Sequence, residues 1–513
     1  MTNNKQLTLN LVSNLVVFFA GLVISFFFSP YIVRTIGVEA NGFISLANNF
    51  VSYASLVTIA LNSMAGRFIS IAFHQDKLDE ANKYYSVVTV GNALFSTLML
   101  IVSGFCVFYL ERIISIPSNL ILDVKILFSL TFMNFIIQTL FSVWTSATFI
   151  TNKIYLSSIV SMLSQIIRVL IILGLFLCFS PSVYFTGIAA VIAAVFSIAN
   201  SFRFKRTLVP ELQFKRSNLD FGFLKKLLSS GIWNSISQSG LLLLSGIDLL
   251  IANLLIGPAE MGMLALAKTL PGVVIGLSSS IQSVFAPMLT IYYAEDDKQG
   301  LKAELKKGMK ITAIMLTIPV SILITHGREF YSLWVPSQDA ASLQILSVLS
   351  CFGIIFTSGI QSLYSVFMVT NKVRPNSLLL LLSGAVSTIT VFVLLSTTNL
   401  GIFAIAGASS CVNLIRNMCY TVPFGAKYLN MKWNTFFPEV LSSVLSTVIL
   451  IALGYSIKFL LPVNSWGSLV ISCFATGVIG LTINILIVLN KNEKAFLIDF
   501  VKRKLRRGGA KPS

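Results

Sequence analysis

Apolar residues fill this chain in long blocks, separated by short polar runs in which Gly, Pro, Asn and Asp collect. A helix that crosses a bilayer needs about 20 mostly apolar residues. Blocks of that length centre near residues 22, 54, 98, 137, 167, 193, 242, 277, 317, 356, 387, 412, 450 and 478. Little chain is left between them, so the pattern predicts an all-α integral membrane protein of about 14 transmembrane helices. Polar positions inside the blocks recur at helical spacing. In segment two Ser45, Asn48, Ser52, Ser55 and Asn62 fall three, four or seven apart, on one face. Segment five lines up Ser157, Ser161, Ser164 and Arg168; segment seven lines up Asn234, Gln238, Ser245 and Asp248; segment eight lines up Lys268, Gly272, Gly276, Ser279 and Ser283. Four polar stripes predict a hydrated central cavity.

The blocks repeat. Gly37-Val-Glu-Ala-Asn-Gly42-Phe-Ile-Ser-Leu46-Ala47 returns as Gly257-Pro-Ala-Glu-Met-Gly262-Met-Leu-Ala-Leu266-Ala267, and the same register sets Asn14 beside Asn234 and Ser25 beside Ser245. One gap later, Thr151-Asn152-Lys153 answers Thr370-Asn371-Lys372. The expected organisation is a six-helix lobe over 1–202, a basic inter-lobe loop over 203–226 and a second six-helix lobe over 227–432. Helices thirteen and fourteen follow over 433–490, and a basic tail over 491–513. An even number of helices per repeat makes both copies enter the membrane in the same direction, so the repeat is a parallel one. As a phosphate loop the glycine segment fails, because no Lys-Ser/Thr follows its second glycine; it is read as a tight outer turn.

Composition agrees with the pattern: 55% of the 513 residues are hydrophobic and 11% charged, with a mean hydropathy of +0.85. The formal net charge of +18 raises the question of a nucleic-acid partner, and its distribution answers it. With a cytoplasmic N-terminus, inner loops and tails hold 28 of the 37 basic residues, while outer loops hold Arg112 and Arg328. That is the positive-inside pattern, and it predicts that both termini are cytoplasmic. No nucleic acid is expected as a partner. The first segment lacks a small-residue cleavage pattern and is expected to be retained as a helix. Six scattered cysteines read as core filling, and His74 and His326, on opposite sides of this topology, cannot share a metal.

An ionisable residue inside a membrane helix costs about 2.5–3.5 kcal/mol and usually faces a cavity or a partner. Arg34, Arg168 and Lys268, with Arg416 beside Asn413 in segment twelve, outnumber the one intramembrane acid, Asp248. The cavity is therefore expected to be cationic and suited to a phosphate or pyrophosphate, which guanidinium groups bind bidentately. Arg34, Asn48, Arg168, Lys268 and Arg416 are the substrate-binding candidates; Ser52, Asn62, Asn234 and Gln238 complete the lining. Arg67, Lys125 and Lys458 lie near helix ends and are expected to snorkel. Asp248 aligns with Phe28, so only one half of the repeat carries it. Two roles stay open for it: taking a proton or Na⁺, or neutralising Lys268 or Arg168.

Arg34-Thr-Ile-Gly37 with Asn41-Gly42 after segment one, Asn152-Lys153 after segment four, and the basic central loop resemble the polysaccharide transporter branch of the multidrug/oligosaccharidyl-lipid/polysaccharide exporter superfamily. The nearest likeness is to Wzx-type flippases. That resemblance implies a bacterial cytoplasmic-membrane flippase moving undecaprenyl-pyrophosphate-linked oligosaccharide outward by alternating access. It further implies no covalent chemistry and no cofactor, with coupling to Na⁺, H⁺ or the membrane potential. The implied partners are the lipid-linked oligosaccharide, membrane lipids, and a polysaccharide polymerase and glycosyltransferases. A lipid II flippase is the near alternative. A drug or cation exporter of the same superfamily would call for an acidic cavity, and a membrane-embedded glycosyl polymerase or acyltransferase for paired acids or histidines in larger loops.

Overall fold

A computed structural model of the chain describes residues 3–490 together with Glu493 and Lys494. The rest of the expected basic tail, including the run Lys502 to Arg507, lies outside the described residues. The first half comprises α1 (Asn3–Thr35), α2 (Val38–His74), α3 (Leu78–Phe108), α4 (Leu110–Ile113), α5 (Ile121–Leu140), α6 (Ser142–Ile150), α7 (Ile154–Cys178) and α8 (Phe185–Leu208). Then follow α9 (Phe221–Leu241), α10 (Asp248–Leu255), α11 (Pro258–Ala267), α12 (Thr269–Ala294), α13 (Lys298–Trp334), α14 (Ala340–Thr357), α15 (Tyr364–Val369) and α16 (Val373–Thr397). The chain continues through α17 (Ile402–Arg416), α18 (Val422–Tyr428), α19 (Phe437–Leu460) and α20 (Trp466–Val488), and no strand occurs among the described residues. Among the described residues eleven helical stretches are long and apolar enough to cross a membrane, α14–α15 and α17–α18 each counting as one, or up to thirteen when the bent pairs α9–α10 and α11–α12 each count as one span. The first expected segment falls in α1, whose part Phe19–Thr35 is apolar. The molecule is an all-α, multi-pass membrane protein.

Turn chemistry repeats with the sequence. After α2 and after α12 the chain turns through a left-handed residue, Asp76 (φ 58°) and Asp296 (φ 52°); after α6 and after α15 it does so through Asn152 (φ 54°) and Asn371 (φ 55°). Asp and Asn tolerate that conformation better than other residues bearing a Cβ. Each turn closes a helix C-terminus in the same way. The Lys77 N–H donates to Ala72 O at 3.0 Å and Asp297 N–H to Tyr292 O at 3.0 Å; Lys153 N–H donates to Thr148 O at 2.8 Å and Lys372 N–H to Phe367 O at 2.7 Å. These are six-residue C-terminal closures at equivalent positions of two repeats. Helix starts use acidic or hydroxyl caps: Asp220 accepts from Gly222 N–H at 2.7 Å and Asp297 from Gly300 N–H at 2.9 Å. The Ser342 side chain and the Ala341 and Ser342 N–H groups hold the Asp339 carboxyl below its ordinary range.

Packing divides the chain into two compact units, Met1–Leu266 with Arg374–Ile405, and Ala267–Val373 with Ala406–Ser513. In the first, α2 runs against α9. A Cβ on Gly231 of α9 would stand 1.8 Å from the Ala60 carbonyl oxygen, and the Ser235 hydroxyl donates to Leu56 O at 2.9 Å. The repeated glycines also meet here. A Cβ on Gly42 would lie 2.9 Å from Gly262 Cα, and one on Gly262 2.4 Å from Val38 O. Gly37 and Gly257 sit in the turns, whereas Gly42 and Gly262 lie inside α2 and α11, where their value is close backbone approach. The expected inter-lobe loop is no slack tether. Val209 and Leu212 are fully buried, Gln213 N–H donates to Asn82 Oδ1 at 2.7 Å, and Lys226 sits over the rings of Phe68 and Tyr84.

In the second unit α13 is the hub. Helix α20 packs on it through Asn484, whose Nδ2 donates to Thr317 Oγ1 at 2.9 Å and Ile314 O at 3.2 Å and whose Oδ1 accepts from Ser446 of α19. The outer loop expected from His326 to Ala341 is helical as far as Trp334. His326 is buried there, its Nδ1 2.7 Å from Thr325 Oγ1 and its Nε2 2.8 Å from Ser472 Oγ. The cysteines depart from the core-filling expectation as well: Cys351 is buried, but Cys178, Cys411 and Cys419 lie on the exposed surface of their helices.

The α2–α9 contact gives a direct test. Gly231→Val should lower stability by about 1–3 kcal/mol, read as a lower thermal unfolding midpoint of the detergent-purified protein. Gly104→Val, with nothing within 4 Å of the added Cβ, should leave the midpoint unchanged. Equal midpoints for the two variants would contradict the close contact.

Candidate functional site

Segment seven is broken where its polar stripe ends. Residues Leu242–Gly246 form a π-turn, and α9 with this turn meets α10 at a bend of 43°. A break frees carbonyls that a continuous helix would bond, and hydrocarbon offers them no water. Neighbouring side chains supply the donors. Gly246 O accepts from Asn49 Nδ2 at 3.0 Å and from the Tyr53 hydroxyl at 2.8 Å, and Leu243 O accepts from Thr388 Oγ1 at 3.1 Å. Asp248 is buried in the first turn of α10, next to these capped carbonyls in sequence. The second unit handles its own break alike: Ala267 O, just before Lys268, accepts from Ser347 Oγ at 2.7 Å and from the Tyr331 hydroxyl at 3.3 Å.

The polar stripes divide into residues used within the fold and residues left over. Asn62 belongs to the fold. It exchanges amide hydrogen bonds of 2.9 and 3.1 Å with the fully buried Asn92, and both bond Ser142 at the α5–α6 junction. Asn48 is exposed and turns back on its own helix, donating to Ile44 O at 2.9 Å, while the Ser52 hydroxyl donates to Asn48 O at 3.1 Å. Asn234 and Gln238 are half-buried on α9 and make no side-chain hydrogen bond among the described residues. Arg34 is exposed at the last turn of α1, and Lys268 is half-buried at the α11–α12 break.

Two arginines stand apart. Arg168 lies in the middle of α7, half-buried, and makes no hydrogen bond or ion pair among the described residues; Ser164, one turn earlier, has a buried hydroxyl without a partner. Arg416 lies in the middle of the span Ile402–Tyr428, and the structure does join it to Asn413, through Nη2 at 3.0 Å. It also bonds Asn417 Oδ1 at 3.3 Å and sits over the Tyr364 ring at 5.8 Å, but its Nε is buried without a partner. Lysines nearer the helix ends are treated differently. Lys125 pairs with Glu111, and Lys458 pairs with Glu329 at 2.7 Å, so these two are neutralised where snorkelling was expected. Arg168 and Arg416 are thus mid-span guanidiniums without a carboxylate partner among the described residues, and a guanidinium is a charged donor to oxyanions.

Asn49, Tyr53 and Thr388 were not legible as functional partners. They lie off the stripe that ends at Asp248, and only the bend explains them. Ser245-Gly246 within an apolar run was the available sign of a break.

The family model described as "Polysaccharide biosynthesis protein" matches residues 7–292. A relative from Bacillus subtilis (strain 168), "Uncharacterized membrane protein EpsK", is 29% identical over 473 residues, 92% of this chain and 93% of that protein. Among solved structures, the lipid II flippase MurJ in an inward closed conformation matches with a TM-score of 0.68 at 16% identity, over 96% of this chain and 100% of that one. An inward-facing MATE family transporter of the MOP superfamily matches with a TM-score of 0.59 at 12% identity, over 86% of this chain and 98% of that one. These structures share the fold.

The capped break predicts a non-additive pair. Asn49→Ala and Tyr53→Phe should each cost about 0.5–1.5 kcal/mol, because one donor to Gly246 O remains. Together they should cost more than the sum, because the carbonyl then has neither. A double-mutant cycle on thermal midpoints checks this, and strict additivity would contradict shared capping.

Proposed function

Because this chain belongs to the polysaccharide biosynthesis protein family, we propose that it is a flippase carrying undecaprenyl-pyrophosphate-linked oligosaccharide from the inner to the outer leaflet of the bacterial cytoplasmic membrane. The product serves surface polysaccharide synthesis, ahead of a polymerase and downstream of glycosyltransferases. Both termini face the cytoplasm in this reading, as the distribution of basic residues requires. The observation that carries the proposal is the pair of mid-span arginines, Arg168 and Arg416, without carboxylate partners among the described residues. A positive charge left in a membrane span is costly and is best explained by a negative ligand.

Arg34, Asn48, Arg168, Lys268 and Arg416 bind the headgroup in this account, with Ser52, Asn234 and Gln238 contributing to the polar lining. Asn62 contributes through the buried network that fixes α2 against α3. The lipid tail stays in the bilayer while the lobes alternate their access, and no bond is made or broken. The membrane potential favours outward movement of an anionic headgroup by about 2.3 kcal/mol per charge per 100 mV. Co-movement of a cation at Asp248 offsets this; if Asp248 instead neutralises a neighbouring base, it is charge balance alone. The fold shared with a lipid II flippase makes lipid II the second reading, since its headgroup also carries a pyrophosphate. Export of organic cations is disfavoured by the cationic spans.

Arg168→Ala and Lys268→Ala should each reduce translocation of lipid-linked oligosaccharide at least tenfold while the protein still inserts at normal level, with Arg168→Lys retaining part of the activity. The readout is surface polysaccharide in cells lacking the wild-type gene, alongside membrane protein abundance. Normal export by both alanine variants would sink the proposal.

A further inference from the structure

We propose that Asn253 is the positioning residue of segment seven: its side-chain amide ties α10 to the connection between α4 and α5 and so holds the bend that carries Asp248. This rests on the flippase reading and adds a residue that acts through Asp248 without touching substrate. Asn253 is 1% exposed. Its Oδ1 accepts from Ser115 N–H at 2.8 Å, and its Nδ2 donates to Ser115 O at 2.9 Å. Both bonds go to one residue, in the stretch that leaves α4 through the extended Ile114 (φ −132°, ψ 153°). A neighbouring strand pairs with a residue in the same way, taking its N–H and its C=O together. A carboxamide, with donor and acceptor side by side, can stand in for that neighbour. Two parallel bonds fix rotation as well as distance, which one bond would not.

The anchor is itself held. Lys125 of α5 pairs with Glu111 of α4, and its Nζ also donates to Phe108 O at 3.2 Å, which joins the end of α3, α4 and the start of α5. Leu110 and Ile114, either side of the last turn of α4, are buried. At the other side of the tie, Asn253 follows Asp248 by five residues, about 7.5 Å of helix at 1.5 Å per residue. A π-turn and a 43° bend separate α9 from α10, so the helical ladder of α9 does not set the direction of α10. Side chains do: Asn49 and Tyr53 hold Gly246 O at the near end, and Asn253 holds the far end. The repeat adds an independent observation. The register that sets Gly257 beside Gly37 sets Asn253 beside Val33, a buried apolar residue of α1, which runs unbroken there. Apolar packing therefore serves the straight copy, and the bent copy carries the amide. Because a buried amide is costly unless both its groups are paired, what Asn253 adds over a valine is direction.

The test uses the full-length protein with its six cysteines replaced and spin labels on Leu177→Cys of α7 and Leu255→Cys of α10, both exposed positions of the first unit. Dipolar spectroscopy reads the distance between the labels, and vesicles holding the same variants read flipping of lipid-linked oligosaccharide. Asn253→Ala should broaden the distance distribution about twofold, because α10 then samples more orientations, and slow flipping by about tenfold per folded protein. Asn253→Asp separates pairing from packing. Ionised, it accepts from Ser115 N–H but offers Ser115 O no donor; protonated, it does both. Burial raises the pKa of a carboxyl, so this variant should match Asn253→Ala at pH 8 and return to the wild-type width, and to within about twofold of the wild-type rate, at pH 5. Wild type measured at each pH cancels titration elsewhere, and the aspartate variant serves alone if the alanine variant does not fold. An unchanged distribution in both variants at pH 8, or an Asn253→Asp defect equal at the two pH values, overturns the tie. A broadened distribution with undiminished flipping overturns the positioning role and leaves the flippase reading standing, whereas a wild type that does not flip overturns both.

Discussion

Hydrocarbon offers no hydrogen-bonding solvent, and this constraint accounts for most of what is specific in the structure. The breaks at α9–α10 and α11–α12 strand carbonyls, and side chains from neighbours answer them: Asn49 and Tyr53 for Gly246, Thr388 for Leu243, Tyr331 and Ser347 for Ala267. Buried amides are answered in the same way, Asn62 by Asn92 and Asn484 by Thr317. Arg168 and Arg416 differ from these groups as mid-span cations without a carboxylate partner among the described residues. The fold caps its bent backbone and pairs Lys125 and Lys458 with acids, yet leaves these two mid-span guanidiniums without a carboxylate partner among the described residues.

Duplication explains the scaffold, and the two copies differ at a few charged positions. The two halves close their helices with the same turns, at Asp76 and Asp296 and again at Asn152 and Asn371, and they meet glycine to glycine at Gly42 and Gly262. Substituting these positions would disturb packing in either copy. Asp248 where the first half has Phe28, and Lys268 where it has Asn48, break the repeat. They sit at or beside the two helix breaks, which the first half lacks: α1 and α2 run unbroken over the equivalent residues.

Much of this was legible in the order of residues. Hydropathy located the spans, and the repeat set Asn152 opposite Asn371, where both copies turn, but the matching turns at Asp76 and Asp296 were not read from it. The limits have physical causes. Periodicity assigns Asn62 to a face of α2 but cannot say whether that face meets water or Asn92. It also assumes a regular helix, so the π-turns at Leu242–Gly246 and Asn417–Thr421 escaped it, and with them the roles of Asn49, Tyr53 and Asn417. The polar run His326-Gly-Arg-Glu329 reads as a loop because hydropathy falls there. The helix continues because Ser472 and Lys458 give His326 and Glu329 partners that no local window contains.

The central claim is that this fold moves an anionic, lipid-linked headgroup across a bilayer, and reconstitution addresses it most directly. Purified protein in vesicles carrying fluorescent undecaprenyl-pyrophosphate-linked oligosaccharide on both leaflets would be challenged with a membrane-impermeant quencher of the outer-leaflet label. The account predicts that the protected inner-leaflet fraction decays faster with protein than without, both in the absence and in the presence of an inside-negative vesicle potential, which adds to the rate where no cation moves with the headgroup. Decay at the protein-free rate under both conditions would contradict it.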